Sequence, residues 1–308
     1  MHPILFHIPT PWGAVPIYSY GVMLGTSLLF GWYFIMWAGK KTENFNRELL
    51  ANTFTVAAIS AIVGSRILYV LTNLDEYQTI GQMFQIRSGG LVAYGGFIGG
   101  FLGSWVYLRM KKVPLAPWAD LVAPTLGSGL MITRLGCYLY GCDYGKPLQD
   151  DAPAFLKHLG TFPKWDMTTG PKLACDQTIN GSPAFQHHLY AYADKMIGRT
   201  DSLPVHPTQL YESLAGLVLF VVGVWVLNHR KFRGQVFIVV SALYSIWRFF
   251  IEMLRDDPER GAAFGFSTSQ LIAMAILPVC AFAYVMLKKR AEENGEPPLP
   301  KYAQDPTA

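Results

Sequence analysis

Seven apolar runs, each close to the length that crosses a bilayer, occupy about residues 17–38, 51–72, 91–108, 118–140, 209–228, 235–254 and 267–287. Nothing else in the chain restricts the fold as much. In lipid a backbone must satisfy its own hydrogen bonds, and separate long apolar runs can do so only as helices. The composition agrees, with 51% apolar and 14% aromatic residues against 15% charged, where a soluble domain carries about 25% charged. A net charge of +4 over 308 residues is too small to argue for a nucleic-acid partner. Four cysteines without a CxxC pair form no disulfide framework. The N-terminus lacks a charged region ahead of a short apolar core, so no cleaved leader is expected and the first run stays as an anchor.

Lys and Arg fix the orientation. Lys40, Lys41 and Arg47 follow the first run; Arg109, Lys111 and Lys112 follow the third; Arg230, Lys231 and Arg233 follow the fifth; Lys288, Lys289 and Arg290 follow the seventh. All four clusters share one side only if the count is odd and the N-terminus faces out. The expected fold is therefore an all-α membrane protein of seven transmembrane helices, N-terminus outside and C-terminus cytoplasmic. Residues 1–290 form the transmembrane domain. Within it, residues 146–205 are too long for a simple connection and are expected to form a small extracytoplasmic head between helices 4 and 5. Residues 291–308, rich in Pro and Glu, read as a disordered cytoplasmic tail. There is no internal repeat and no matched pair of broken helices of the kind transporters use.

This topology brings the unusual polar groups to one depth. Arg66 falls in the outer half of the second helix, Arg134 near the outer end of the fourth, and Arg248, Glu252 and Arg255 at the outer end of the sixth. The odd-numbered helices open on that side with Tyr18 and Tyr20, with Tyr94 after Ser88-Gly89-Gly90, and with His206, Gln209, Tyr211 and Glu212. Arg248, Glu252 and Arg255 are spaced i, i+4, i+7 and share a helix face. Any one arginine is explained equally well by snorkelling to headgroups or by pairing with Glu252. Convergence from six helices favours a polar cavity instead, because intramembrane ionisable groups are rare and costly. Arginines with few carboxylates suggest an anion, and guanidinium is the group best matched to phosphate. The reading is an outward-facing lipid-phosphate site. Gly95, Gly99 and Gly103 recur at every fourth position; close helix packing suits Gly99 and Gly103, while Gly89-Gly90 and Gly95-Gly96 could shape a loop against a ligand.

The segments SYG (19–21), GSRILYVL (64–71), SGGLVAYGG (88–96), TRLGCYLYGCDYG (133–145), HPTQLYES (206–213) and WRFFIEMLRDDP (247–258) occur in the order, and with the content, of one bacterial inner-membrane family. The chain resembles the prolipoprotein diacylglyceryl transferases. That resemblance implies transfer of the diacylglyceryl group of phosphatidylglycerol to the thiol of a lipobox cysteine in a prolipoprotein signal peptide. A thioether forms and glycerol-1-phosphate leaves, with no metal or soluble cofactor, on a monomeric multi-pass protein of the bacterial cytoplasmic membrane. By position, Arg134 and Arg248 would bind the phosphate and stabilise the leaving group. Tyr20 and Gly145 would shape the lipid pocket, and Glu252 and Arg255 would position the site, with Glu252 orienting Arg248. Arg66 and Gly95 complete the substrate-binding candidates.

Two departures stand out. Where the family commonly has a histidine, the usual candidate base, this chain has Tyr94, whose pKa of about 10 makes it a poorer base. His206 is the best remaining imidazole near the site, although Pro207 after it also marks a helix start. The better-known members carry Asn at the Cys137 position and Glu at the Cys142 position. Asp143 could replace that carboxylate, but neighbouring helix positions point about 100° apart. Cys137 and Cys142 could be packed side chains; Cys142 could instead bridge to Cys175, or a thiol could be reactive. Their spacing is not that of a zinc site, and only the distant His187 or His188 could complete one. Cys280 reads as packing. The rival functions are a non-catalytic lipid- or signal-peptide-binding paralogue and a transferase with a different acceptor.

Overall fold

The structure, a computed structural model, describes residues 3–11, 13–77, 80–83, 90, 92–164, 181–256 and 262–294. In chain order the elements are strands β1 (Ile4–Thr10) and β2 (Gly13–Tyr18), then helices α1 (Ser19–Glu43), α2 (Arg47–Thr72), α3 (Ile80–Met83), α4 (Ala93–Met110) and α5 (Leu115–Tyr140). Three short helices follow, α6 (Ala154–Leu159), α7 (Pro183–Ala191) and α8 (Ala193–Met196). The chain then runs through α9 (Thr208–His229), α10 (Gln235–Ile251), strands β3 (Ala262–Ala263) and β4 (Phe266–Ser267), and α11 (Thr268–Glu293). Each of the seven apolar runs falls on one of α1, α2, α4, α5, α9, α10 and α11. Among the described residues, five stretches are long and apolar enough to cross a membrane: α1, α2, α9, Gln235–Leu254 and α11. Glycines and aromatic hydroxyls dilute α4, and Pro124, Arg134 and glycines dilute α5, so neither joins that set.

The all-α expectation is corrected at the N-terminus. Ile4–Thr10 and Gly13–Tyr18 form an antiparallel hairpin, Thr10 opposite Gly13 and Ile4 opposite Tyr18. Apolar and β-branched residues flank a Pro- and Gly-bearing turn, a hairpin signal that the reading of long apolar runs passes over. The Ser19 N–H and hydroxyl both donate to Pro3 O, at 2.9 and 3.2 Å, and tie the hairpin to the start of α1. At the other end α11 continues three residues beyond Arg290, through Ala291–Glu293, where the tail was expected to begin. Its start is a capping box in which Ser267 and Gln270 satisfy each other's backbone N–H groups.

The chain divides into two compact units. One is built on Trp32–Leu121. Within it α2 and α4 cross at van der Waals distance: a Cβ on Gly64 would run into Gly95 O, and one on Gly99 into Ser60 O. Small residues permit this approach. Gly95 therefore belongs to the same packing seam as Gly99 and Gly103. Buried Arg66 is held here too. Its Nε donates to Met83 O at 2.8 Å, and its terminal nitrogens donate to Gly90 O and Gln82 O at 3.1 and 3.2 Å.

The other unit comprises the described parts of Met1–Gly31, Val122–Pro171 and Thr178–Leu299. Its central feature is a close crossing of α5 and α9. A Cβ on Gly127 would sit 2.6 Å from Phe220 N, and one on Gly216 2.7 Å from Gly127 O, so neither position admits a side chain. Ser213 Oγ donates to Met131 O at 2.8 Å across the same contact. The described residues between 146 and 205 pack on the end of α5. Tyr144, Phe162, Ala184 and Val205 make one small core with Tyr138 against it; Phe185, Met196 and Leu203 make a second. Val205 N–H donates to Gly160 O and Ser202 N–H to Phe162 O, so the segment closes on itself.

Candidate active site

The way α5 ends creates the site. Gly141 takes a left-handed backbone (φ +82°), and its N–H closes on Cys137 O at 2.8 Å, the common stop for a helix. Asp143 then also turns left-handed (φ +58°), a conformation that Asp tolerates better than most residues. Two residues at the start of α9 hold this turn. Thr208 Oγ1 donates to Asp143 O and Gln209 Nε2 to Cys142 O, both at 2.6 Å.

The turn points the Asp143 carboxylate back at the last turns of α5. Its Oδ2 lies 2.8 Å from Arg134 Nη1, and its Oδ1 contacts Arg255 Nη2. Glu212, one turn into α9 and brought in by the glycine crossing, binds the same cations. Its Oε2 lies 2.7 Å from Arg134 Nε and 3.6 Å from Arg255 Nη1, and its Oε1 3.0 Å from Arg248 Nη1. Arg248 Nη2 in turn reaches Glu252 Oε2 at 3.0 Å and donates to Ser269 Oγ at 3.1 Å. Three arginines from α5, α10 and the segment after it thus converge on one fully buried glutamate. Unpaired charges at such depth would cost several kcal/mol each, so the pairing is a condition of the fold.

The charge count differs from the one the sequence suggested. Among the described residues, Arg134, Arg248 and Arg255 stand against Asp143, Glu212 and Glu252, three charges of each sign. The three carboxylates are not equivalent, however. The Asp143 side chain is 28% exposed, against 0% for Glu212 and 4% for Glu252. Burial works against the Asp143 charge, but Arg134 and Arg255 outweigh it and hold the carboxyl well below the usual range.

Tyr20 faces this cluster, its phenol within electrostatic reach of Arg134, Cys137, Cys142 and Asp143. Gly136 makes room for it, since a Cβ there would meet Tyr20 Cα at 3.2 Å. Gly145 is a backbone crossing. A Cβ would lie 2.7 Å from His206 O and from Leu254 O. The Gly145 N–H donates to His206 O at 3.0 Å, and Gly145 bridges to Arg255, which seats Arg255 against Asp143. His206 Nδ1 is 3.4 Å from the Tyr211 hydroxyl, and burial lowers its pKa. Tyr94, at the start of α4 and exposed, lies with Arg66 and Gly95 in the unit built on Trp32–Leu121.

The sequence model of the prolipoprotein diacylglyceryl transferases matches residues 3–286, nearly the whole chain. The chain belongs to this family. It is 30% identical to phosphatidylglycerol–prolipoprotein diacylglyceryl transferase 2 of Clostridium perfringens, covering 91% of this chain and 95% of that protein. It is 30% identical to the Clostridium botulinum (strain Langeland) transferase over 94% and 98% of the two chains, and 26% identical to that of Clostridium tetani over 92% and 97%.

Against the family's pattern, the structure changes the reading of both cysteines and of Asp143. Cys142 and Asp143 lie beyond the end of α5, so the helical argument against Asp143 as a replacement carboxylate does not apply. Cys142 is a free thiol, not half of a bridge to Cys175, and Cys175 lies outside the described residues. Its Sγ points inward, 3.6 Å from Asp143 Oδ2 and 3.9 Å from Cys137 O. A hydrogen bond with Cys137, then burial, push its pKa up. Cys137, Cys142 and Asp143 are close enough to share an ion, with donor atoms within 4.8 Å. The protonated Cys142 thiol and two arginines on Asp143 make that a poor cation site. His187, His188 and Asp256 are equally close. There, His188 Nδ1 accepts from Leu203 N–H at 3.1 Å, so the neutral ring carries its proton on Nε2 and has no lone pair left for a metal. Glu212, which the sequence places at the depth of the cavity, receives no role in the site from sequence reasoning. The signal was its place in HPTQLYES, one of the matching segments.

Proposed function

We propose that this chain transfers the diacylglyceryl group of phosphatidylglycerol to the cysteine thiol of prolipoprotein signal peptides, forming a thioether and releasing glycerol-1-phosphate. The observation that carries the reading is the convergence of Arg134, Arg248 and Arg255 on Glu212 at one end of three helices. In the reaction a thiolate attacks the sp3 carbon of the diacylglyceryl group, and the bond from that carbon to the phosphate oxygen breaks. Charge builds on the leaving phosphate, and preorganised guanidinium donors lower the barrier most where charge develops.

Arg134 and Arg248 hold the phosphate and stabilise the leaving group, and Arg255, which pairs with Asp143, joins them when the lipid binds. Glu252 and Ser269 fix the second arm of Arg248, Arg255 and Gly145 set the turn that carries Asp143, and Tyr20 lines the approach for the lipid. Arg134 is shared between Asp143 and Glu212, so the lipid phosphate enters by exchange with a carboxylate. The acceptor is the lipobox cysteine of the signal peptide.

The reading includes seven transmembrane helices, N-terminus out, in a monomeric protein of the bacterial cytoplasmic membrane. Residues 146–205 are its extracytoplasmic head, and the arginine cluster lies at the outer leaflet. The basic clusters at the ends of α1, α4, α9 and α11 support that orientation. The test is direct: purified protein with phosphatidylglycerol vesicles and a lipobox peptide yields a diacylglyceryl thioether and free glycerol phosphate in equal amounts. Absence of both products sinks the transferase reading and leaves a lipid binder.

A further inference from the structure

We propose that Asp143 takes the proton of the acceptor thiol, and that it becomes free to do so when the lipid phosphate replaces it on Arg134 and Arg255. The inference rests on the transferase reading. Its starting point is the balance among the described residues: three carboxylates already occupy the three arginines, and a phosphodiester that takes up Arg134 and Arg255 displaces the carboxylate held least deeply. Glu212 is fully buried between three guanidiniums and Glu252 is nearly so, whereas Asp143 is 28% exposed. Its φ of +58° and its place past the helix end put it on a turn, not on a helix face. It is the carboxylate that yields.

Displacement changes its chemistry. Facing Asp143 are Arg134, Cys137 and Cys142 from α5 and its end, Glu212 from α9, Arg255 from the segment after α10, and Tyr20 from α1. The two arginines are what make the carboxylate a weak base. Once their charge is taken up by phosphate, burial acts the other way and raises its proton affinity. A thiol already fits against this carboxylate, because Cys142 Sγ donates to Asp143 Oδ2 at 3.6 Å. The acceptor thiol is placed on the same carboxylate. As the S–C bond forms and the C–O bond to phosphate breaks, the thiol proton passes to Asp143 and the electron pair leaves with glycerol phosphate. When that product departs, Asp143 returns the proton to water and pairs again with the arginines. The proposal also supplies a base in a chain with Tyr94 where its family commonly has histidine.

The test uses full-length protein in detergent with phosphatidylglycerol and a lipobox peptide. With Asp143 acting as base, the wild-type kcat/KM for the peptide is level between pH 6.5 and 8.5. A rise of tenfold per pH unit up to the thiol pKa of about 8.5 means that free thiolate attacks unaided, and overturns the proposal. In Asp143→Asn, kcat at pH 7 falls about 100-fold, the lost pH-independence reappears as that tenfold-per-unit climb, and binding of phosphatidylglycerol vesicles is unchanged or tighter. Asp143→Glu recovers part of kcat. An Asp143→Asn variant with kcat within twofold of wild type, or one that loses vesicle binding in step with kcat, overturns it. A wild-type protein that makes no thioether sinks the transferase reading itself.

Discussion

Glu212 Oε2 lies 2.7 Å from Arg134 Nε, with the carboxylate fully buried. The contact is made by glycines: Gly127 and Gly216 let α5 and α9 approach until residues 131–134 and 212–216 share one level. Glu212 also meets Arg248 and Arg255, so it is the counter-charge of the whole cluster. Glu212→Gln keeps the shape and removes that charge. Breaking a buried ion pair by losing one partner costs about 3–5 kcal/mol. The expected outcome is a clear drop in the thermal unfolding midpoint in detergent together with loss of thioether formation. An unchanged midpoint would show that the guanidiniums do not need it.

Arg248 uses two arms, Nη1 on Glu212 and Nη2 on Glu252 and Ser269. Lysine carries the charge as a single point and cannot span those partners. Arg248→Lys is therefore expected to lose about 100-fold in kcat, in the range seen when one donor to a developing anion is removed. Arg134→Ala and Arg248→Ala are expected to abolish turnover. Steady-state rates of glycerol phosphate release decide the matter, and wild-type rates would mean the phosphate binds elsewhere.

A Cβ on Gly145 would sit 2.7 Å from two carbonyl oxygens, His206 O and Leu254 O, and backbone atoms cannot swing aside as a side chain can. Gly145→Ala should cost about 1–3 kcal/mol of stability and shift Arg255 off Asp143, so both the unfolding midpoint and kcat fall. Gly25 and Gly129 are the controls. Nothing lies within 4 Å of a Cβ at either position. In a helix interior alanine is the better residue by about 1 kcal/mol, so these two substitutions leave the midpoint level or higher.

Much of this architecture was legible in the sequence, for a physical reason. Apolar runs of bilayer length dictate helices, and all seven runs are helices. The spacing of Arg248 and Glu252 by four positions fixes their pairing within one helix end. What escaped depended on contacts between distant segments. Gly127 and Gly216 read as ordinary helix glycines, and only their crossing reveals why Glu212 faces Arg134. Asp143 looked misdirected because a helix was assumed through residue 143, whereas the left-handed Gly141 ends it at Tyr140. Arg66 was grouped with the other arginines by its depth in the sequence pattern, yet its guanidinium is taken up by three backbone carbonyls. The hairpin of β1 and β2 was passed over because it is too short to compete with spans of twenty residues.

The cysteines give the last prediction, since sequence alone left a bridge, packing and reactivity open. Cys137, Cys142 and Cys280 are free thiols, Cys137 and Cys280 are buried, and the Cys142 sulfur is engaged with Asp143 and Cys137. The fourth cysteine, Cys175, lies outside the described residues. Unreduced protein denatured in the presence of a chromogenic thiol reagent should titrate with all 4 cysteines of the sequence; a count of two would restore the Cys142–Cys175 bridge. In the folded protein the raised pKa of Cys142 keeps it protonated at neutral pH, and the thiolate is the reactive form. Its alkylation at pH 7 should be much slower than that of a free peptide thiol and should speed up only as the pH passes well above 9. Fast labelling at pH 7 would mean a thiolate already stands beside Asp143, which two negative charges in contact make costly. Cys280→Ala, in the core with Phe232 and Ile238, should leave turnover at the wild-type rate.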